Sequence, residues 1–356
     1  MKYMGSKKYL LTNGLGKLIV EKSKNSNRFI DMFTGSGSVA WFAASKIHNK
    51  IIAGDIQEYA VILSEAVISR TKKFDFDILK IKWLDKSRKE FVELTKNNSK
   101  IKLVPNIVRS AYGGYYFSPQ QALIFDILLK NLPKAFPSKS IAKASLITAA
   151  SQCVASPGHT AQPFKPTNGA IKFIMESWHR DPFLYAEKAA KNISSQFTKK
   201  KGKAILIDAN ELVKTVQEQD LVFLDPPYSG VHYSRFYHVL ETIARGRKVK
   251  VSGEGRYPPT EERPTSKYSM SSFSKSTLDD LLKNLSIKKA NVILTFPKGK
   301  ASNGLSGRMV RTIAKKYFTI KQEEIKNRFS TLGGNSFTRP ARKSVNELVL
   351  YLEPKF

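Results

Sequence analysis

Short apolar runs punctuate the chain, each closing near an acid, a glycine or a proline. Arg28-Phe29-Ile30-Asp31-Met32-Phe33, Lys50-Ile51-Ile52-Ala53-Gly54-Asp55, Asp220-Leu221-Val222-Phe223-Leu224-Asp225 and Asn291-Val292-Ile293-Leu294-Thr295-Phe296 have the length and content of buried strands. Ala204-Ile205-Leu206-Ile207-Asp208 adds a short strand, and Glu347-Leu348-Val349-Leu350-Tyr351-Leu352 reads as the last one. Helix-like sequence follows most of them. Strands alternating with helices predict an α/β fold built on a parallel sheet. Arg328–Phe337 is expected to pair with the last strand, because Gly333-Gly334-Asn335 is a hairpin turn signal.

The alternation stops between residues 71 and 200. Helical patterns take over there, at Ser118–Leu132 and Ile141–Cys153, separated by turn-rich stretches such as Ser156-Pro157-Gly158-His159 and 163–169. The expected organisation is a sheet domain in two parts, 1–70 and 201–356, with a mainly helical domain, 71–200, inserted between them. Arg245–Ser274 mixes Gly, Pro, Ser, Lys and Arg without a period. It reads as a long basic loop, 246–274, and a loop of that length is usually functional or disordered.

Two places carry candidate chemistry. Phe33-Thr34-Gly35-Ser36-Gly37 joins the first strong strand to an apolar helix, Val39–Ser45. Glycines at such a turn let a ligand approach the backbone closely. Twenty residues beyond Gly35, Asp55-Ile56 ends the next strand, where an acid can accept from both hydroxyls of a ribose. Position 40 is Ala, so the third glycine of a dinucleotide fingerprint is missing. That loss disfavours a pyrophosphate-bearing cofactor such as NAD and tilts the reading toward S-adenosylmethionine, which has no phosphate.

The second place is Asp225-Pro226-Pro227-Tyr228, directly after an apolar strand. The carboxyl edge of parallel strands is where α/β sheets hold ligands. Two prolines stiffen the backbone and remove two N–H donors while keeping both carbonyls. The lone pair of an exocyclic base amine is delocalised into the ring. Acceptors aimed at its N–H bonds, from Asp225 and the Pro226 carbonyl, would localise it and stabilise the charge that develops on methylation. Tyr228 can stack on a base swung out of a helix. The competing explanation is a surface turn, since Pro-Pro is common in loops.

Composition narrows the partner. Among 356 residues, 60 are Lys or Arg and 29 are Asp or Glu, a formal net charge of +31. Nucleic acid is the first partner this suggests and an anionic membrane surface the second. A lysine-rich genome would also scatter lysines this way. No apolar run reaches about 18 residues, and the N-terminus lacks the apolar core of a signal peptide. The single Cys153 excludes an intrachain disulfide framework, and five scattered histidines make a zinc site improbable. The expectation is a cytoplasmic protein with no membrane and no metal.

At these residues the sequence resembles the Dam-like, or D12, class of N6-adenine DNA methyltransferases, with ordered motifs over most of the chain. Tyr3-Met4-Gly5-Ser6-Lys7 is similar to the family's motif at the methionine end of the cofactor, Phe33–Gly37 to its glycine motif and Asp55 to its ribose-binding acid. Asp208 falls where the family has an acid near the cofactor's adenine, and Asp225–Tyr228 matches its catalytic tetrapeptide. Tyr233–Glu241 also resembles the segment after that tetrapeptide in some members. The resemblance implies a Rossmann-like S-adenosylmethionine-dependent sheet with an inserted target-recognition domain. It implies methylation of a flipped adenine in double-stranded DNA, and cofactor contacts by Tyr3, Lys7, Phe33, Gly35, Gly37, Asp55, Ile56 and Asp208. A restriction-modification setting admits a cognate endonuclease as partner. The insert departs from the recognition segments of GATC-specific members, so the target sequence stays open.

DNA contacts are expected from Arg109, Tyr112 and Tyr115 in the aromatic stretch 109–118, from Lys199 and Lys201, and from Arg245 and Arg247 at the head of the basic loop. The aromatic stretch could equally pack into the core of the insert, and Lys199-Lys200-Lys201 could be a solvated charge run. The loop 246–274 is expected to order on DNA. Two other functions remain. An RNA methyltransferase could use the same tetrapeptide on guanine N2 or adenine N6 of ribosomal RNA, and a non-catalytic DNA-binding relative could keep the fold.

Overall fold

Most of the apolar runs are buried in one sheet, which has seven strands among the described residues. They are β1 (Arg28–Asp31), β2 (Lys50–Asp55), β3 (Lys203–Leu206), β4 (Leu221–Leu224), β5 (Asn291–Pro297), β6 (Phe318–Ser330) and β7 (Arg342–Pro354). The computed structural model describes residues 6–96, 98–330 and 342–355. Tyr3 and the turn residues Gly333, Gly334 and Asn335 lie outside the described residues.

The sheet order is β3-β2-β1-β4-β5-β7-β6. The first five are parallel, and β7 runs antiparallel to both β5 and β6. The expected hairpin partner at Arg328–Phe337 begins earlier, since β6 starts at Phe318 and registers with β7 from Phe318↔Pro354 to Ser330↔Arg342. The order reverses between β1 and β4. In an open α/β sheet this switch point opens a crevice beyond the carboxyl ends of the strands. The helix Ser274–Ile287 covers one sheet face with Leu278, Leu281, Leu282 and Leu285, which join Val222, Leu224, Val292 and Leu294 in one core. Each such leucine contributes about 1.5–3 kcal/mol by leaving water.

The chain divides into two compact units. The sheet unit holds Met4–Thr71, Phe197–Tyr233 and Pro264–Phe356; the helical unit holds Lys72–Gln196 and Ser234–Arg263. Sequence order alone assigns all of 201–356 to the sheet. Ser234–Arg263 instead packs among the helices, for reasons seen in its side chains. Tyr112, fully buried, brings its hydroxyl 2.8 Å from Thr242 Oγ1 and 3.1 Å from His238 Nδ1. The Tyr116 hydroxyl sits 2.7 Å from the Thr160 carbonyl and 2.9 Å from that of Gly255. Burial pushes the His238 imidazole down to about 3, so it is a neutral hydrogen-bonding group.

The segment 246–274 divides between the two units. Its first part is anchored in the helical unit, where the Arg256 guanidinium donates to the carbonyls of Ala111 (2.7 Å) and Ser110 (3.0 Å), and Tyr257 to that of Ala161. Its last part belongs to the sheet unit and buries Tyr268. Within the helical unit, Pro119–Lys130 starts on a reciprocal cap: Ser118 Oγ accepts from the Gln121 amide, and Gln121 Oε1 from the Ser118 amide, each at 3.1 Å. Among the described residues no helix is long and apolar enough to cross a membrane.

Candidate active site

The glycine turn folds as its sequence requires. Gly35 and Gly37 have φ of 48° and 72°, a region that residues with a Cβ rarely enter. Gly37 precedes the helix Ser38–Lys46, and a Cβ there would also come within 3.0 Å of Trp41 Nε1. Asp55, at the tip of the neighbouring β2, accepts from the Gly35 amide (2.9 Å) through one oxygen and from the Gln57 amide (3.0 Å) through the other. Its carboxylate is thus fixed across two adjacent strand ends beside Ile56. Phe33 meets the buried Tyr268 edge-on at 5.1 Å, and the Tyr268 hydroxyl donates to Asn210 Oδ1 at 2.5 Å. Asp208 accepts from the Asn210 amide at 2.8 Å and caps the short helix Ala209–Leu212.

Beyond β4, on the other side of the switch point, Asp225 is held from two directions. Thr295 Oγ1 of β5 donates to Asp225 Oδ1 at 2.9 Å. Lys7 Nζ lies 2.8 Å from Asp225 Oδ2 and 3.0 Å from Glu347 Oε1. Burial works against the Lys7 charge, yet Asp225 and Glu347 together hold its ammonium above the ordinary lysine range. Burial likewise raises the Asp225 carboxyl, opposed by Lys7 and assisted by Glu347. The result is a carboxylate anchored on both oxygens yet more basic than a free aspartate. Lys7, expected at the cofactor, makes an ion pair with each of these two carboxylates.

The second proline is held by a buried asparagine. Asn303, fully buried, donates through Nδ2 to the carbonyls of Pro227 (2.9 Å) and Tyr268 (3.0 Å), and its Oδ1 accepts from the Leu305 amide (3.2 Å). Tyr228 is half-buried and stands edge-on to Phe296 at 6.4 Å. Burial pushes its hydroxyl up to about 12, so it stays protonated.

Sequence reasoning missed four residues of this cluster. Asp31 ends β1 just before the glycine turn; burial pushes its carboxyl up to about 7, and among the described residues neither of its oxygens has a well-formed hydrogen bond. A lone acid inside an apolar strand was the available signal. Glu347 carried the same signal at the head of its strand, and Thr295 is the one hydroxyl in its run. Asn303 had none, since Ser302-Asn303-Gly304 reads as an ordinary turn.

The expected DNA contacts divide. Arg109 is an internal strut rather than a surface cation: its Nε reaches the fully buried Asp126 at 2.9 Å and an NH2 group reaches the Val104 carbonyl at 3.0 Å. Tyr112 is buried at the junction described above. Arg245 is taken up by Glu241 (3.0 Å) and the Glu262 carbonyl (2.6 Å). Tyr115, by contrast, is 46% exposed with the Arg256 guanidinium 4.3 Å from its ring centre. Lys199, Lys201 and Arg247 are exposed.

Comparison with known proteins places these features in a family context. The family described as D12 class N6 adenine-specific DNA methyltransferase matches residues 3–130 and 175–295. Modification methylase LlaI of Lactococcus lactis subsp. lactis is 25% identical over 294 residues, 80% of this chain and 44% of that protein. Modification methylase StsI of Streptococcus sanguinis is 24% identical over 71% of this chain and 37% of its own length. Type II methyltransferase M.FokI of Planomicrobium okeanokoites is 25% identical over 68% of this chain and 37% of its own. The matched region spans less than half of each of these relatives.

Proposed function

Because this chain belongs to the D12 class of N6-adenine-specific DNA methyltransferases, we propose that it transfers a methyl group from S-adenosylmethionine to N6 of an adenine in duplex DNA. The observation that carries the reading is the Asp225 carboxylate beside the switch point, one oxygen held by Thr295 and the other by Lys7. The glycine turn and Asp55 flank the same switch point from β1 and β2.

The residues present fit the cofactor chemically. Asp55, oriented by two backbone amides, suits the two hydroxyls of a ribose. Glycines 35 and 37 leave the turn open to close approach. Asp225 and Glu347 outnumber the single Lys7 that pairs with both, which favours a cationic ligand. When bound, the cofactor supplies an electrophilic methyl group on a sulfonium. Asp208 and Phe33 would border the adenine side.

The chain's own residues then act on the target amine. Asp225 and the Pro226 carbonyl accept its two N–H bonds, drawing the nitrogen lone pair out of conjugation. Asn303 already holds the Pro227 carbonyl, which fixes the turn in one shape. Tyr228 offers its ring to a base taken out of the stack, offsetting part of the few kcal/mol that unstacking costs. As the amine becomes cationic, the Asp225 carboxylate stabilises it and is placed to receive the proton that N6 sheds. The net charge of +31 favours approach to a polyanion.

Incubation with labelled cofactor, duplex DNA and ribosomal RNA, followed by nucleoside mass spectrometry, tests the proposal. N6-methyladenine in the DNA is the expected product; label in RNA alone would refute it. Asp225→Ala is expected to abolish turnover and leave DNA binding intact, and undiminished methylation by that variant would sink the mechanism.

A further inference from the structure

Glu347 is fully buried near the apolar end of β7, in register with Pro297 of β5. Its carboxylate lies 3.0 Å from Lys7 Nζ, which lies 2.8 Å from Asp225 Oδ2. Among the described residues Glu347 has this ion pair and no well-formed hydrogen bond. Folding supplies no reason for it. Lys7 and Asp225 already neutralise one another, and a second carboxylate taken out of water carries a large desolvation penalty. Its strand neighbours Leu348, Val349 and Leu350 show what this position would favour for stability alone. Uncompensated buried charge of this kind gathers where chemistry is done.

We infer that Glu347 is a positioning residue for methyl transfer, dividing the Lys7 ammonium between two carboxylates so that Asp225 remains a strong acceptor for the target amine. The inference rests on the role given to Asp225 above. Paired with Asp225 alone, Lys7 would direct its full charge at Oδ2 and blunt the carboxylate. Shared with Glu347, it still anchors Oδ2 in place. One ammonium against two carboxylates also leaves the cluster with a residual negative charge, matched to an amine that turns cationic as the methyl group arrives.

The other groups that act on Asp225 come from every element around it. Asp31 at the end of β1 adds negative charge only once it ionises, near pH 7, Tyr228 follows β4, and Thr295 on β5 donates its hydroxyl. Glu347 raises the Asp225 carboxyl, so removing its charge must ease Asp225 ionisation and move the titration to lower pH.

The test compares wild type, E347Q and E347D as full chains. Methylation of unmethylated duplex DNA gives kcat and KM, and carbon NMR of the Asp225 carboxyl in cofactor-free protein gives its titration. E347Q is expected to lose about tenfold or more in kcat. Its KM values for cofactor and DNA should stay within about threefold of wild type. Both the Asp225 titration and the acid limb of kcat should move to lower pH, with E347D intermediate in each. In a K7M background E347Q should cause no further loss, because the effect passes through Lys7. A folded E347Q with wild-type kcat and titration overturns the inference, as does an equal loss in the K7M background. Should the Gln variant not fold, an E347D indistinguishable from wild type overturns it as well. A wild-type chain that methylates no adenine would refute the functional reading alone, since the titration still reads the coupling of Glu347 to Asp225.

Discussion

Replacing Arg109 with Met separates a structural arginine from a DNA-binding one. The guanidinium donates to Asp126 at 2.9 Å and to the carbonyls of Val104 at 3.0 Å and Pro105 at 3.2 Å. Asp126 is fully buried and also accepts from the amides of Ile107 (3.1 Å), Val108 (2.7 Å) and Arg109 (3.2 Å), the orphan donors at the start of the helix Val108–Tyr112. Removing one partner of a buried ion pair costs about 3–5 kcal/mol. The three amides still serve the carboxylate, which points to the lower end, about 3 kcal/mol. For a unit of this size that corresponds to a fall of about 6–12 °C in melting temperature. Burial already raises the Asp126 carboxyl, and loss of the cation raises it further. The folded variant then holds a proton that the unfolded chain releases, so the deficit grows as pH rises above the unfolded value of about 3.9. Calorimetry and amide exchange over residues 107–112 read the stability, and the slope of log binding constant against log salt reads the DNA contact. The expected result is early exchange, a lowered melting temperature and an unchanged slope. A slope reduced by about 0.9, the signature of one lost phosphate contact, with unchanged stability would refute the reasoning.

Asp31→Asn should stabilise the protein at neutral and alkaline pH. The folded carboxyl sits at about 7 against a reference of 3.8, so folded protein retains a proton through that window and stability falls as pH rises across it. The variant escapes a penalty of about 4 kcal/mol that is complete above pH 7 and vanishes near pH 4; a gain independent of pH in chemical denaturation would contradict this. Asp55→Ala should weaken cofactor binding about 10- to 100-fold by calorimetry, through loss of charge-assisted hydrogen bonds to a ribose, and unaltered affinity would remove Asp55 from the site. Tyr115→Ala should weaken DNA binding by about 1–3 kcal/mol without changing its salt slope, since stacking involves no counterion release; an altered slope would mean that the ring acts by holding Arg256.

The sheet was legible because parallel strands are buried on both faces and so appear as unbroken apolar runs. The glycine turn and Asp225–Tyr228 were legible because their backbone demands are local: left-handed glycines and paired prolines at strand ends. What stayed hidden is long-range. Lys7 and Glu347 are 340 positions apart in numbering yet 3.0 Å apart in space, and nothing near either residue announces the other. Arg109 reads as a surface cation until Asp126, a full helix later in the chain, is seen to be buried beneath it. Ser234–Arg263 follows the tetrapeptide directly, so sequence order assigned it to the sheet; Tyr112 and Tyr116 claim it for the helices through hydrogen bonds that no periodicity encodes.

The membership of Ser234–Arg263 in the helical unit has a consequence for modularity. The covalent chain leaves the sheet unit after Thr71 and again after Tyr233, returning at Phe197 and at Pro264. The helical unit is therefore not a cassette with one entry and one exit. An exchange of the helical unit with a relative that moved only 72–196 would strand Tyr112 opposite a foreign His238 and Thr242. The transferable part is a discontinuous pair, 72–196 with 234–263, and recombination in nature or in the laboratory must move both together.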